Sequence, residues 1–373
     1  MRKITLLGAG KIGDAIIHLL ANTGDYRITV ADSDSARLDL VAEGAARKLQ
    51  ADIREHGRLH DLLSGQDAVI SACPFHLTPV IAAAARECGV HYLDLTEDVQ
   101  STREVQRLAD GSDRAFIPQC GLAPGFISIA AHALARDFDT LREVKMRVGA
   151  LPLYPSNALK YNLTWSTDGL INEYCNPCIA IRDGNMIETL PLEEIEHFSL
   201  DGVHYEAFNT SGGLGTLCET LNGRIEDLNY KTVRYPGHRD IIKILVRDLR
   251  LDRRRDLLKD VLEAAIPITM QDVVLIFVSV SGMRGGRLTQ QTFARKIYAQ
   301  EVHGRLLSAI QLTTASGICA MLDLLMEGKL PQRGFVRQEQ ASLDIFLENR
   351  FGRYYAAEPS ISSSDGITSL LAA

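Results

Sequence analysis

The chain has 373 residues, 46% hydrophobic and 23% charged, with a formal net charge of −7. This is the usual globular mix, with apolar material for two ordinary cores, and its acidic balance excludes the basic footprint of a nucleic-acid binder. Seven cysteines, an odd number, do not read as a disulfide framework, so a reducing cytoplasm is the expected setting.

Residues 4–7 read as a short buried strand, too brief for a signal peptide and running straight into glycines. Gly8-Ala9-Gly10-Lys11-Ile12-Gly13 then fits GxGxxG in its required context, after a strand and opening a helix. Gly8 permits the tight turn, Gly10 lets the backbone approach a pyrophosphate, and Gly13 lets helix and strand pack closely. Lys11 and Ile12 belong to the same turn, and the helix N-terminus presents free N–H groups to phosphates. Helical spacing covers 13–21, and a second strand over 27–31 ends at Asp32. A carboxylate there accepts hydrogen bonds from the adenine ribose hydroxyls and repels a 2′-phosphate, so NAD is the expected cofactor rather than NADP. A helix is predicted over 35–49 and a third apolar strand over 67–73. The end of that strand, Ser71-Ala72-Cys73-Pro74, falls beside the nicotinamide ribose, with Cys73 read as small filler. Residues 79–87 are helical and end at Gly89; strands follow over 91–95 and 115–118. Strands separated by single helices imply right-handed βαβ units and a parallel sheet. The fold class is therefore α/β, with an N-terminal Rossmann domain over 1–125.

Past Gly125 the pattern changes. A helix over 126–138 leads into a strand over 143–149, and residues 150–235 are rich in Asn, Gly, Thr and Tyr. One or two helices cover 240–266. Strands over 273–281 and 288–300 flank Gly282, Gly285 and Gly286 and predict a β-hairpin. Residues 126–302 thus form a second α+β domain with a mixed sheet. Helices over 303–312 and 313–326 open a C-terminal segment, 303–357, and a Ser-rich tail over 358–373 is expected to be loose. No run reaches the ~18 apolar residues that span a bilayer, so no membrane partner is expected. Arg253, Arg254 and Arg255 read as a solvated helix face. Cys175 and Cys178 lack further ligands at zinc spacing and read as two unlinked thiols, with no metal.

The sequence resembles the saccharopine dehydrogenase family, and within it the lysine 6-dehydrogenase branch. The resemblance rests on residues 8–13, 92–98 (YLDLTED), 121–125 (GLAPG), 164–166 (TWS), 169–174 (GLINEY), 210–213 (TSGG) and 231–238 (KTVRYPGH). These span most of residues 1–330, and GLAPG and KTVRYPGH are far more specific than the glycine fingerprint. The resemblance implies a Rossmann domain carrying an inserted substrate and dimerisation domain, a homodimer, and last helices that return to the Rossmann domain. It also implies NAD-dependent hydride transfer at a carbon–nitrogen centre of a lysine-derived substrate. In that branch the side-chain amine of lysine is oxidatively deaminated, and the aldehyde cyclises to a piperideine carboxylate. Two alternatives stay open: a saccharopine- or carboxynorspermidine-forming reductase, and a catalytically silent NAD-binding regulator.

Oxidising an amine requires a base to neutralise it, contacts that hold its carbon in place and, for an amino acid, a cation for the carboxylate. From its place in KTVRYPGH, Arg234 is the carboxylate candidate through its bidentate fork, with a structural ion pair as the competing reading. Tyr235 and His238 share that turn, and His238 is either a general base or a packed cap. Thr96 and Asp98 follow a strand end where the crevice opens. Asp98 either meets the substrate ammonium and takes its proton or caps the next helix. Cys120 either relays protons through a lowered pKa or packs inertly. Trp165 either walls the pocket or sits in the core. Asn172 and Glu173 either make polar contacts or lie idle on a helix surface. Ser211, Gly212 and Gly213 form either a small anion nest or a plain loop.

Overall fold

The computed structural model describes residues 1–356 apart from His56 and Thr164; the tail over 358–373 lies outside the described residues. The first half alternates strand and helix. Strand β1 (Arg2–Leu7) is followed by α1 (Lys11–Ala21), β2 (Tyr26–Asp32), α2 (Ser35–Leu40) and β3 (Arg47–Gln50). After α3 (Arg58–Leu63) come β4 (Ala68–Ser71), α4 (Thr78–Cys88), β5 (His91–Asp94), α5 (Val99–Ala109) and β6 (Ala115–Ile117). All these strands pair in parallel in the order β3-β2-β1-β4-β5-β6. Order reverses at β1, so a crevice opens beyond the carboxyl ends of β1 and β4. Helix α4 ends as predicted, on Gly89 at φ +64.

The helix expected over 35–49 stops at Leu40. Val41 is extended (ψ 131°) and Gly44, at φ +76°, turns the chain so that residues 47–50 join the sheet edge. Short edge strands carry too few residues to show a period of their own.

The second half opens with α6 (Phe126–Ala135) and β7 (Thr140–Pro152). Then come α7 (Thr167–Cys175), β8 (Cys178–Arg182), β9 (Asn185–Thr189), β10 (Glu196–Leu200), β11 (Val203–Asn209), α8 (Leu217–Leu221) and β12 (Ile225–Arg234). Helices α9 (His238–Lys243) and α10 (Arg255–Ala265) precede β13 (Asp272–Arg284) and β14 (Arg287–Tyr298). The sheet runs β10-β11-β12-β7-β13-β14, with β8 and β9 attached beside β12. Only β12 and β7 pair in parallel, so the sheet is mixed. Gly285 and Gly286, both at positive φ, make the turn of the predicted β13–β14 hairpin, as a twist-matched two-residue loop requires. Gly282 lies inside β13 at a register shift, where a Cβ would come 2.1 Å from Thr140 O.

Residues 303–312 are not helical throughout. Strands β15 (Gln300–Val302) and β16 (Arg305–Leu307) form a hairpin whose two turn residues, His303 and Gly304, have φ of 48° and 77°. The following helix, α11 (Ala309–Met326), starts at Ser308, which accepts from Gln311 N in a capping box. Asp272, fully buried, accepts from Ala309 N (2.5 Å) and Ile310 N (3.0 Å). At 18 residues, α11 is long and apolar enough to cross a membrane, which the sequence reading did not anticipate. It is nonetheless a core helix, buried nearly all round, packed between α1 and β13. Strand β17 (Gly334–Phe335) then pairs beside β6, making the first sheet seven strands wide. Helix α12 (Leu343–Glu348) leads to Asn349 and Arg350, both bonded to Asp323 of α11, which also accepts from Tyr26 Oη of β2. This knot ties the end of the described chain to its first sheet.

Candidate active site

A half-open cleft of about 1080 Å³, the solvent at its mouth included, lies between the two sheets. One wall is the carboxyl edge of the parallel sheet, with Ile12, Ala72, Cys73, Pro74, Thr96 and Glu97. The other comes from the mixed sheet and α7, with Trp165, Asp168, Glu173, Thr232 and Arg234; Ile310 and Thr314 of α11 complete it.

The glycine turn has the geometry its spacing implies. Gly8 is at φ +99° and a Cβ on it would stand 2.8 Å from Ala72 O; one on Gly13 would stand 2.0 Å from Gly8 O. Gly10, by contrast, faces open space, with no heavy atom within 4 Å of an added Cβ. Two glycines thus close the turn, and the third leaves a cradle at the N-terminus of α1 that fits a diphosphate. Lys11 is exposed beside it. Asp32 locks the arrangement: Oδ2 accepts from Ala9 N (2.8 Å) and Oδ1 from Asp34 N (2.9 Å), which keeps the carboxylate at the mouth of the turn. Ser71 is buried at the end of β4. The Cys73 thiol is pushed up to about 12 by burial and by the charge of Asp32, so it is a neutral wall.

Arg234, at the end of β12, is 3% exposed. Its Nη1 donates to Thr232 Oγ1 (2.7 Å) and Val233 O (2.9 Å), and its Nε to Tyr174 Oη (3.1 Å). These bonds fix the fork, and Nη2 is left facing Glu173 Oε2 at 3.8 Å, beyond hydrogen-bond reach. Trp165 lines the cleft and donates from Nε1 to Tyr161 Oη (3.3 Å). Thr96 lines it too.

The other expected substrate and catalytic residues do not meet there. His238 Nδ1 donates to Leu159 O (2.8 Å), so Nε2 accepts from Tyr174 Oη (2.9 Å). Burial and the charge of Arg234 push its pKa down to about 3, and it does not line the cleft. His238 therefore holds Tyr174, which holds Arg234, and is no general base. Asp98 caps α5, accepting from Ser101 N (2.7 Å). Cys120 is buried between Ile117 O (3.0 Å) and Gln338 Nε2 (3.2 Å), its thiol raised by burial and by Asp94; it is packing. Tyr235 donates to Pro152 O (2.8 Å) and stacks on Tyr205, away from the cleft. Asn172 Oδ1 accepts from Arg255 (2.9 Å). Ser211 and Gly212 make no anion nest in the cleft. Ser211 Oγ donates to Pro177 O (2.8 Å), and a Cβ on Gly212 would stand 2.5 Å from Glu97 O. They line a neighbouring cavity of about 710 Å³ that shares Tyr230 with the cleft.

The acid of this loop that faces the cleft is Glu97, one residue before the expected Asp98. Asp94, fully buried, arranges this: Oδ1 accepts from Thr96 N (3.0 Å) and Gln119 N (2.9 Å), and Oδ2 from Tyr92 Oη (2.7 Å). The tips of β5 and β6 are thereby tied together, and Glu97 is turned inward. Gly169 makes room for it, since a Cβ there would stand 2.9 Å from Glu97 Oε1 and 2.3 Å from the Trp165 ring. Burial, with the charge of Asp98 added, raises Glu97 to about 7. Glu173, 7% exposed, rises to about 8 because its desolvation outweighs Arg234, and Glu97 adds repulsion. Glu173 lies in a run of α7 that is buried from Gly169 to Tyr174, so no helical period marks its carboxyl in the sequence.

A sequence model described as the saccharopine dehydrogenase NADP binding domain matches residues 4–113, and one for the saccharopine dehydrogenase C-terminal domain matches residues 121–349. The chain belongs to the saccharopine dehydrogenase family. Among relatives in this family, the mouse mitochondrial alpha-aminoadipic semialdehyde synthase is 25% identical over 198 residues, covering 50% of this chain and 21% of that protein. Saccharopine dehydrogenase [NADP(+), L-glutamate-forming] of Saccharomyces cerevisiae is 24% identical over 259 residues, 66% of this chain and 57% of the relative. The matches thus span a fifth to just over half of these relatives' own lengths. In structure, the apo histidine-tagged saccharopine dehydrogenase (L-Glu forming) from Saccharomyces cerevisiae superposes with a TM-score of 0.74 over 95% of this chain and 96% of that one, at 17% identity. The two structures share their fold over nearly all of the compared chains.

Proposed function

We propose that the chain is an NAD(H)-dependent oxidoreductase acting on the CH–NH2 group of an amino acid, with the side-chain amine of L-lysine as the best-fitting substrate. The charge arrangement of the cleft carries this reading. Among the described lining residues, Arg234 is the one cation, set against three carboxyl groups, Glu97, Asp168 and Glu173. One preorganised guanidinium suits one substrate carboxylate, and the acids suit an ammonium group. Lysine brings one carboxylate and two amines. Saccharopine brings three carboxylates, two of which would face acids without a partner, a costly burial.

A nicotinamide dinucleotide held by the 8–13 turn and Asp32 supplies the hydride acceptor. The chain's own groups do the rest. Arg234 anchors the substrate carboxylate, Trp165 covers its methylenes, and the lining carboxyls receive its amine. For the cofactor, Asp32 and Asp34 both stand at the tip of β2, with Arg37 turned to Asp34 at 3.4 Å; a 2′-phosphate would meet two carboxylates, which favours NAD over NADP. A homodimer paired through the mixed sheet is proposed with this reading, and a monomer by light scattering would contradict it.

A second reading, saccharopine as substrate, is favoured by the names of the relatives and by the adjoining cavity that shares Tyr230 with the cleft. One panel separates the two: lysine, ornithine, saccharopine and simple diamines, each with NAD and NADP, followed by NADH fluorescence. Lysine with NAD should exceed saccharopine in kcat/KM by about tenfold or more. Preference for saccharopine, or oxidation of no amine at all, would overturn the proposal.

A further inference from the structure

Oxidation of an ammonium substrate stalls unless its nitrogen first loses a proton inside a site that excludes water. The expected bases, Asp98, Cys120 and His238, are capping, packed or doubly hydrogen-bonded elsewhere. Three other carboxyls line the cleft, Asp168 at its rim and two deeper ones. Glu173 Oε2 is buried, has no hydrogen-bond partner among the described residues and lines the substrate wall. Glu97 lines the cleft and also a second cavity of about 850 Å³ at the surface, shared with Asp98, Arg103 and Glu188. It therefore touches both the substrate space and a way out.

We infer that Glu97 and Glu173 form a proton-sharing carboxyl pair, in which Glu97 takes the proton from the substrate ammonium and passes it to solvent through the surface cavity. This rests on the amine-oxidising reading above. In the step proposed, an N–H bond of the substrate breaks and an O–H bond forms on Glu97. The nitrogen keeps the electron pair and becomes the neutral amine that a nicotinamide can oxidise, and Glu97 returns the proton to water.

The surroundings explain why the pair divides its work. Glu97 faces Asp98 and Asp94 from its own loop and Asn172 from α7. Glu173 faces Arg234 of β12 and Glu97; Tyr174, Tyr230 and Cys178 lie in its field. Asp168 at the rim is tied to Lys259 of α10 at 2.7 Å. Glu97, half-buried, packs its Oε1 against Gly169, one helical turn before the buried Glu173, and two acids so placed repel each other and hold one proton between them near neutrality. With that proton on the more deeply buried Glu173, Glu97 stays ionised as the base. A neutral Glu173 also leaves the guanidinium of Arg234 uncompensated, so that the substrate carboxylate is the anion that pairs with it.

Infrared titration of the ligand-free protein tests the pair directly. A protonated-carboxyl band should persist above pH 6 and weaken through about 7 to 8. Its later component should vanish in Glu173→Gln and its earlier one in Glu97→Gln. Bands that disappear by about pH 5, the ordinary carboxylate range, would overturn the sharing. Kinetics test the base. With the best amine of the panel, Glu97→Gln should lower kcat by about 10²–10⁴ with KM little changed and remove the acid limb of the pH profile, and Glu97→Asp should recover part of the rate. A Glu97→Gln rate within threefold of wild type, with the limb retained, would remove Glu97 as base while leaving the amine reading standing. Turnover of no amine despite a shared proton would sink the amine reading and the base role, and leave the pair.

Discussion

Gly10 and Gly13 stand three residues apart in one turn and answer to different neighbours. An added methyl at Gly13 meets Gly8 O, whereas at Gly10 it meets nothing. Gly13→Ala should therefore cost about 1–3 kcal/mol of stability through overpacking, read as a lower Tm. Gly10→Ala should hold stability within about 1 kcal/mol yet weaken dinucleotide binding at least tenfold in a fluorescence titration, because its methyl fills the cradle. Equal loss of stability in both variants would mean that Gly10 is structural. Residues of this kind were legible in the sequence because their demands are local: a backbone turn and its spacing carry the information. The acids were not. Glu97 and Asp98 are adjacent and chemically alike, and the choice between them is made by Asp94 bonding Gln119 N, 25 residues away. Nothing in the segment 92–98 encodes that contact. Arg234 was found through its motif, but its aim is set by Tyr174 and Thr232, which local pattern does not reveal.

Elements flanked by clear signals are legible in the sequence, and several that lack them are not. The central strands of the parallel sheet show as short apolar runs between helices, α4 by its glycine stop, and the β13–β14 hairpin by its length and its turn glycines. The 300–307 hairpin crosses a segment whose pattern reads as strand to residue 300 and as helix from 303, because three-residue strands are too short to show alternation and the turn, His303-Gly304, lacks the Asn or Asp that usually marks one. The start of α11 also depends on a distant residue. Asp272, at the head of β13, accepts from the first two N–H groups of the helix in a fully buried setting. Asp272→Ala leaves both donors orphaned and should destabilise the protein by about 2–4 kcal/mol, lowering Tm by several degrees and raising hydrogen exchange in the first turn of α11. A variant with wild-type Tm would show that Ser308 alone sustains the cap.

For the molecule as a whole, buried histidines set the acid side of its stability. His238 is held neutral with a pKa near 3, while in the unfolded chain it titrates near 6.5. Below pH 6.5 the unfolded chain gains a proton that the folded one refuses, so this contribution to stability falls as pH drops from 6.5 toward 3. Between pH 6.5 and 5 the loss is about 1–2 kcal/mol. His238→Asn should flatten that part of the curve of Tm against pH relative to wild type, and an unchanged slope would mean that the ring is already charged in the fold. Glu97 and Glu173 act in the opposite sense. Their folded values lie above the unfolded ones, so their contribution is present at low pH and fades as pH rises through 7 to 8. Both carboxyls depend on two sheets meeting across one cleft, an assembly of residues far apart in the chain that no window of sequence displays. At that meeting one phenol ring, Tyr230, lines two chambers at once, and it leans so closely on residue 213 that only glycine fits there. Trimming that ring would open the two rooms toward each other, so the reach of any guest in this cleft is set in part by one removable side chain.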